Sequence, residues 1–299
     1  MAELDIRLVR SFVAVADERS FTRAAERLHV AQPWLSVQIH KLEEQVGFRL
    51  FERNRNQAVV LSAQGEALLP MARDYLAAAA RMLGSARRIR DRATMTLRLG
   101  APDFSAEMPM RTAITDEFAI AHPEFELEVS NAWTVELLKR VRDCELDVAF
   151  TVGPHLDACT EAMVVARYRL ALLGRVEDLK GLKPPLPLEA LAGRTIAIFR
   201  RSVNAPFHDA IAPALEVAGI NVGYLSESGH TAILHNTQRT GMLALVGDYA
   251  HTAGLAGRLV ILPLDEPALA FNLNLVRRVG DRSPQVSALW SHAMRLVAR

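Results

Sequence analysis

Apolar residues recur at helical spacing at the start of the chain. Between residues 4 and 19, Leu8, Phe12 and Val15 follow one another at intervals of three or four residues, which predicts an amphipathic helix. Ser20 is a good N-cap for a second, shorter helix over residues 21–28, because its side-chain oxygen can accept a hydrogen bond from the first turn. These signals predict two consecutive helices.

A third helix and a hairpin follow. Pro33 suits the first turn of a helix, where its missing N–H costs nothing, and apolar residues recur on one face up to Val46. Gly47 is typical of the residue that ends a helix. Residues 48–61 then join a polar stretch to β-prone residues and predict a hairpin-like wing. Two helices joined by a short turn, with the second free for recognition, are typical of a DNA-binding helix-turn-helix.

A long, alanine-rich helix is predicted from residues 62–65 to about residue 89. Its apolar positions alternate four and three residues apart, which is the a/d spacing of a coiled coil. Such a helix either packs on its own domain or pairs with a second chain. Small alanines permit close helix approach, so pairing of two chains is favoured. The predicted seam consists of Leu68, Ala72, Tyr75, Ala79, Met82, Ala86 and Ile89.

After residue 92 the pattern changes to alternating strands and helices. Strands are predicted at 96–101, 125–130 and 147–150, with helices at 108–121 and 134–144 between them. This order predicts a parallel sheet with helices on both faces. Weaker signals continue the alternation, with strands at 167–173, 195–199, 221–227, 242–246, 259–262 and 271–277, and helices at 206–218, 233–240 and 283–297.

About 200 residues of α/β structure suit two lobes with a crevice between them. Lobe I is predicted to comprise about residues 93–165 and 265–299, and lobe II about residues 166–264. Ligands of open α/β sheets bind at the carboxyl ends of the strands, so a small-molecule site is expected in the crevice.

Composition and charge narrow the function classes. The 299-residue chain is 50% hydrophobic and has a formal net charge of +1, but residues 1–92 hold 15 Lys and Arg against 11 Asp and Glu, whereas the remainder holds 20 against 23. A basic N-terminal part on an acidic body points to a polyanion partner, although two solvated surfaces with a chance imbalance explain it too. No apolar run is long enough to span a bilayer and no export signal is seen. With only two cysteines, a reducing cytoplasm is favoured.

The helix-turn-helix and the wing carry side chains suited to duplex DNA. Gln32 can bridge the edge of an adenine, and Ser36 can contact a base or a phosphate. Lys41 suits a phosphate, and the basic wing can reach the backbone or the minor groove. Taken singly, each position is also an ordinary solvated one. The predicted DNA-binding residues are Ser20, Thr22, Arg23, Gln32, Pro33, Trp34, Ser36, Val37, His40, Lys41, Arg53, Asn54 and Arg55.

Candidate ligand contacts come from the predicted ends of strands and starts of helices. Helix N-termini attract anions, so a small molecule that bears a carboxylate is predicted. The alternative is plain helix capping by the serines and threonines, with the arginine an ordinary surface cation. The predicted effector contacts are Phe104, Ser105, Thr134, Arg200, Ser202, Asn204, Phe207 and Thr231.

The N-terminal segment SFTRAAERLHVAQPWLSVQIHKLEEQVGFRLFERN, followed by LSAQGEALLPMAR, resembles the LysR-type transcriptional regulators. The resemblance implies an α/β protein with an N-terminal winged helix-turn-helix over residues 1–65, a long linker helix for dimerisation over 66–92, and a two-lobed, periplasmic-binding-protein-like effector domain over 93–299. It implies binding to double-stranded DNA as a dimer or tetramer, with an inducer between the lobes. The family's inducer contacts correspond approximately to Ser105, Thr134 and residues 202–207.

Three positions depart from the family pattern. Ala31 stands where serine is frequent, so the third helix lacks a side-chain cap. Trp34 replaces a smaller residue, and Val37 replaces a frequent arginine. These departures concern the choice of DNA sequence rather than DNA binding itself.

Other function classes fit less well. The chain contains no dinucleotide, P-loop, nucleophile-elbow or HExxH motif, and no Cys/His group with zinc spacing, so no enzymatic activity, cofactor or metal is expected. A solute-binding protein would match the body alone. The second function retained is a non-enzymatic adaptor, in which the helix-turn-helix docks a protein and the body binds a solute.

Overall fold

The computed structural model describes residues 4–52, 59–91, 95–225, 229–252 and 257–298, with side chains for all of these except 87–91. The chain divides into two compact units, residues 1–86 and 87–299. No helix within the described ranges is both long and apolar enough to cross a membrane.

The first unit contains the predicted helices. Their bounds are α1 Ile6–Glu18, α2 Phe21–Leu28, α3 Gln32–Val46 and α4 Ala63–Asp91, the last of which continues past the division at residue 86. Asp5 caps α1, and Ser20 caps α2 as predicted by accepting from the Arg23 N–H at 3.3 Å. Gly47 ends α3 in the left-handed conformation with φ of 79°. The predictions for these four helices are confirmed.

The core of this unit lies where α1, α2 and α3 meet the base of the wing. Phe12, Leu35 and Leu50 are fully buried there. At the wing, Phe51 forms an antiparallel bridge with Leu61, and its ring packs edge-on against Phe12 with 5.7 Å between centroids. Apolar burial against three helices therefore holds the base of the predicted hairpin in place.

Gly65 allows the start of α4 to pass close to the wing. The Leu50 carbonyl accepts from the Ser62 N–H at 2.9 Å, and Ser62 Oγ accepts from the Gly65 N–H at 3.0 Å. A Cβ at position 65 would lie 2.2 Å from the Leu50 carbonyl oxygen. The glycine is therefore required by a close backbone approach, because any side chain would collide with a carbonyl that is already held by a hydrogen bond.

The second unit alternates strands and helices. Its strands are β1 Thr96–Ala101, β2 Glu126–Asn131, β3 Val148–Val152, β4 Thr160–Arg175, β5 Thr195–Ile198, β6 Asn221–Tyr224, β7 Leu243–Gly247, β8 Leu259–Pro263 and β9 Ala270–Arg278. Its helices are α5 Pro109–Ala121, α6 Thr134–Arg142, α7 Ala205–Val217, α8 His230–Thr240 and α9 Pro284–Val297.

These strands form two sheet regions joined by β4. In lobe I, β1 lies between β2 and β3 in parallel, and β9 pairs antiparallel with both β3 and the first part of β4. In lobe II, the second part of β4 lies antiparallel between β7 and β8, and β5 lies parallel between β6 and β7. The predicted parallel pairing is confirmed for β1, β2 and β3, and it recurs among β5, β6 and β7. The two strands that connect the lobes, β4 and β9, add antiparallel pairs that the alternating pattern did not predict.

Strand β4 is longer than predicted. It begins at Thr160 rather than residue 167, and its register against β9 shifts between Val164 and Ala166. Such a bulge bends a strand and interrupts the alternation of inward and outward side chains, which explains why the pattern missed the first half of the strand.

A buried ionic network secures lobe I. The Arg278 guanidinium, at the end of β9, donates to the carbonyls of Val141 and Leu146 at 2.9 and 2.5 Å. It also pairs with Asp281, and it lies 3.7 Å from the Asp147 carboxylate. The Asp147 side chain is only 3% exposed, so this carboxylate depends on Arg278 and on the Arg98 N–H for its stabilisation.

Candidate functional site

Helix α3 turns one polar face outward. Its apolar residues Leu35, Ile39 and Leu42 are at most 4% exposed and pack into the core of the first unit. The opposite face holds the predicted recognition residues Gln32, Pro33, Trp34, Val37, His40 and Lys41, all of which are exposed. The helix therefore presents its first two turns to solvent within this unit.

Gln32 and Ser36 form a pair on this face. The Gln32 side-chain amide donates to Ser36 Oγ at 2.9 Å, and Ser36 is half-buried. The helix has no side-chain cap, as the alanine at position 31 predicts. The pair keeps two hydrogen-bonding groups one helical turn apart. The side-chain amide oxygen of Gln32 can accept a hydrogen bond from a partner, and the Ser36 hydroxyl can donate one.

Other predicted contacts are more constrained. The Arg23 guanidinium donates to the Glu18 carbonyl oxygen at 2.5 Å, and His40 lies 3.3 Å from the Glu44 carboxylate. Thr22 is exposed, and the Ser20 hydroxyl accepts the capping hydrogen bond of α2. Three wing positions lie outside the described residues: Arg53, Asn54 and Arg55.

Helix α4 divides its apolar residues between two stripes. Leu68 and Ala72, predicted for the seam between chains, pack instead into the core of their own unit. Beside them runs an exposed stripe of Met71, Tyr75, Ala78 and Met82, in which the two methionines are 68% and 69% exposed. Of the remaining seam positions, Ala79 is half-buried, Ala86 is exposed, and the Ile89 side chain lies outside the described residues. Two predicted seam residues, Tyr75 and Met82, thus lie on the exposed stripe, whereas Leu68 and Ala72 do not.

Lobes I and II enclose a cavity of about 100 Å³. Aromatic and aliphatic side chains form most of its wall, including Phe199, Phe207 and Phe271, whose rings lie 5.1 Å apart in successive pairs. Four of the predicted effector residues line it, namely Phe104, Thr134, Asn204 and Phe207. The cavity therefore lies in the predicted crevice, and half of the predicted effector residues line it.

Two of these polar residues also hold the backbone of β3. The Asn204 side-chain amide donates to the Val152 carbonyl at 3.0 Å, and Asn204 Oδ1 accepts from the Phe207 N–H as the cap of α7. Thr134 Oγ1 accepts from the Val152 N–H at 3.4 Å. Asn204 thereby links helix α7 of lobe II to a strand of lobe I. Asn204 thus caps α7, a role that the sequence raised only for the serines and threonines.

The other four predicted contacts do not line the cavity. Ser105 is buried and donates to the Pro102 carbonyl at 2.5 Å. Arg200 is exposed, with its guanidinium 5.5 Å from the centre of the Tyr224 ring. Ser202 and Thr231 are exposed on the surface. For these residues, closeness in sequence to a strand end or helix start does not bring the side chain to the wall of the cavity.

The cavity also has three polar residues outside the eight predicted effector contacts, although the sequence did place His230 beside Thr231 before a predicted helix. Glu107, His230 and Tyr249 line it, and among the described lining residues there is no lysine or arginine. Burial, with a smaller contribution from the charge of Glu107, raises the pKa of the Tyr249 hydroxyl, which therefore stays protonated at neutral pH. The predicted helix start marks His230, but no local pattern marks Glu107 or Tyr249.

Comparison with known proteins matches both units. The family described as bacterial regulatory helix-turn-helix protein, lysR family, matches residues 6–66, and the LysR substrate binding domain matches residues 90–298. The regulator IlvR of Caulobacter vibrioides is 30% identical over 289 residues, which cover 96% of each chain. The probable cat1 operon transcriptional activator of Acinetobacter lwoffii is 29% identical over 227 residues, which cover 75% of this chain and 74% of that one.

Solved structures share the fold. Full-length CbnR in complex with its target DNA superposes with a TM-score of 0.59 at 20% identity, over 98% of this chain and 100% of that one. A full-length OxyR variant from Pseudomonas aeruginosa gives a TM-score of 0.57 at 21% identity, with the same coverage. With a substrate-binding match over residues 90–298 and a helix-turn-helix match before it, this chain belongs to the LysR family of DNA-binding transcriptional regulators with an effector-binding domain.

Proposed function

We propose that this protein regulates transcription by reading duplex DNA with α3 and by responding to a small effector in the cavity between lobes I and II. The observation that carries the proposal is the solvent-facing pair of Gln32 and Ser36 on a helix whose other face is buried in a helix-turn-helix core. Binding to DNA in a bacterial cell means that the protein works in the cytoplasm, and no catalytic role is assigned to it.

Base reading falls to the first two turns of α3. Gln32 and Ser36 supply hydrogen bonds to base edges, and Trp34 and Val37, 42% and 50% exposed, supply apolar contact to thymine methyl groups. Lys41 and the residues of the wing supply phosphate contacts, which set affinity and its dependence on salt rather than sequence preference.

The effector is small and largely apolar. A cavity of about 100 Å³ with a mostly aromatic and aliphatic wall suits a small molecule with an apolar body. The carboxylate predicted from the sequence has no lysine or arginine partner among the described lining residues, so the N-termini of α6, α7 and α8, which lie at the cavity wall, are the features that would attract it. An effector acts on DNA binding only if it binds two arrangements of the lobes with different affinity.

Self-association uses the exposed stripe of α4. We expect Met82→Glu to weaken dimerisation about tenfold or more, because it places a charge in an apolar contact. Analytical ultracentrifugation of the full chain measures the effect. Arg81→Glu introduces the same side chain at a neighbouring exposed position off the stripe, and we expect it to dimerise like the unaltered chain. Equal losses for both variants would remove the stripe from the interface.

Ser36→Ala is expected to weaken binding to the specific site about 5- to 10-fold while random DNA loses less than about twofold. The substitution removes one base-directed hydroxyl and frees the Gln32 amide, but it changes no phosphate contact. Fluorescence anisotropy with the DNA upstream of the protein's own coding region, compared with random duplex of equal length and at fixed salt, measures the ratio.

Ser202→Ala, an exposed serine of the second unit, is the matched control and should leave both affinities unchanged. Equal losses of Ser36→Ala on the two DNAs would contradict base reading by this residue. An unaltered chain that binds neither DNA would favour the adaptor function, in which α3 docks a protein.

A further inference from the structure

Glu107, His230 and His251 lie together beside the cavity, although they are far apart in the chain. We propose that these three side chains bind a divalent transition-metal ion such as Zn²⁺, and that the ion joins the two lobes. The ion site itself is independent of the regulator function, whereas its effect on DNA binding rests on the proposed function.

The two distances from Glu107 to the histidine nitrogens are close to those around a tetrahedral ion. Glu107 Oε2 lies 3.5 Å from His230 Nε2 and 3.7 Å from His251 Nδ1, and all three ligand atoms lie within 4.8 Å of one another. Zinc holds nitrogen at about 2.0–2.1 Å and carboxylate oxygen at about 2.0–2.2 Å, which places neighbouring ligand atoms about 3.3–3.5 Å apart. Shifts of a few tenths of an ångström at Glu107 would bring its distances to the two histidine nitrogens into this range.

The donor atoms are available to an ion. Glu107 Oε2 is buried and has no hydrogen-bond partner among the described residues, a costly state for a carboxylate oxygen. The His230 side chain is 10% exposed, and its Nε2 lies 2.8 Å from the His251 carbonyl oxygen, a contact that an ion would replace. His251 is 65% exposed, which gives the ion a path from solvent.

The donor types select the class of ion. Two imidazoles and one carboxylate suit Zn²⁺, Co²⁺ or Ni²⁺ better than Mg²⁺ or Ca²⁺, which prefer oxygen ligands. Three protein ligands leave a further coordination position for water or for a donor atom of a ligand. Because Glu107 and His230 both line the cavity, that donor can belong to a molecule bound there.

The ion would bridge the lobes. Glu107 follows β1 in lobe I, whereas His230 begins α8 and His251 follows β7 in lobe II. An ion that needs ligands from both lobes binds the closed arrangement more tightly and therefore shifts the population toward it. Its two positive charges also exceed the single negative charge of Glu107, so the cavity would then favour an anionic effector.

Metal titration of untagged, full-length protein tests the proposal. After removal of metal with a chelator, we expect calorimetry to show one tightly bound Zn²⁺ per chain, and Co²⁺ to give the visible bands of a tetrahedral site. His251→Gln and Glu107→Gln should each weaken Zn²⁺ binding by at least about 100-fold. Both variants should unfold at the temperature of the unaltered chain when metal is absent.

His235→Gln, which removes an exposed histidine of the same helix, is the matched control and should keep the affinity of the unaltered chain. Binding of much less than one ion per chain, or an affinity for Zn²⁺ that His251→Gln leaves intact, would overturn the site. DNA binding by the metal-free protein is measured on the same samples. A protein that binds DNA but not Zn²⁺ would contradict only the proposed ion site. A protein that binds Zn²⁺ but not DNA would contradict only the regulator function.

Discussion

Gly65→Ala is expected to lower the free energy of unfolding of the first unit by roughly 2–3 kcal/mol and to abolish DNA binding at moderate temperature. Helix propensity alone predicts the opposite sign, because alanine is about 1 kcal/mol better than glycine inside a helix. The added Cβ would lie 2.2 Å from the oxygen and 3.0 Å from the carbon of the Leu50 carbonyl, so α4 or the wing must move.

Urea unfolding and DNA binding of the full chain measure this effect. Gly229→Ala is the control, because no described atom lies within 4 Å of a Cβ added there and its φ is negative. It should change stability by less than about 0.5 kcal/mol. A Gly65→Ala protein that is more stable than the unaltered chain would mean that α4 does not approach the Leu50 carbonyl.

Arg278→Met is expected to destabilise the second unit by about 3–5 kcal/mol, since it leaves a buried carboxylate without its cation. Methionine fills much of the same space, but the carbonyls of Val141 and Leu146 lose their donor. Thermal unfolding of the full chain measures the loss. Arg201→Met breaks an ion pair with Asp209 in which both side chains are at least 48% exposed, and it should leave the melting temperature close to that of the unaltered chain.

The destabilisation by Arg278→Met should grow as pH rises. Burial raises the pKa of Asp147 above its ordinary value, and loss of Arg278 raises it further, so the folded variant loses stability as pH rises through that pKa. At Asp281 burial opposes ionisation, but Arg278 and hydrogen bonds from Ser283 outweigh it and lower the pKa. The stability gained from Asp281 is present above its unfolded pKa and is lost as pH falls. Both effects make the difference in melting temperature between the unaltered chain and Arg278→Met larger at pH 8 than at pH 5. A difference that becomes smaller toward pH 8 would contradict the stabilising role of the Arg278 network.

The helices of the first unit were predictable because their signals are local. A buried stripe at intervals of three and four residues, a serine cap and a terminal glycine each act within one or two helical turns, so α1, α2 and α3 follow from sequence alone. The apolar stripe of α4 was predicted too, but its division was not. Leu68 and Ala72 face the core of their own unit only because α1 and the wing lie beside them.

The cavity shows the same limit. Phe104, Thr134, Asn204 and Phe207 could be named in advance because ends of strands and starts of helices mark the crevice of an α/β fold. The directions of the strands could not be predicted, because the pairing of β9 with β3 and β4 joins residues far apart in the chain. Closeness to a strand end also says nothing of where a side chain points, which is why Ser105, Arg200, Ser202 and Thr231 do not line the cavity.

By itself the sequence determined the family, the order of the units, the exposed face of α3 and the presence of a crevice, since short-range periodicity and a contiguous motif carry each of these. Only the tertiary structure decided that β4 and β9 run antiparallel through the body, that Gly65 is held against a carbonyl, and that ligand atoms of Glu107, His230 and His251 lie within 4.8 Å of one another. The physical reason is that these contacts join residues of different segments of the chain, from 15 positions apart for Leu50 and Gly65 to more than a hundred for β4 and β9. They depend on how whole elements pack, and no local pattern of apolar and polar positions contains that information.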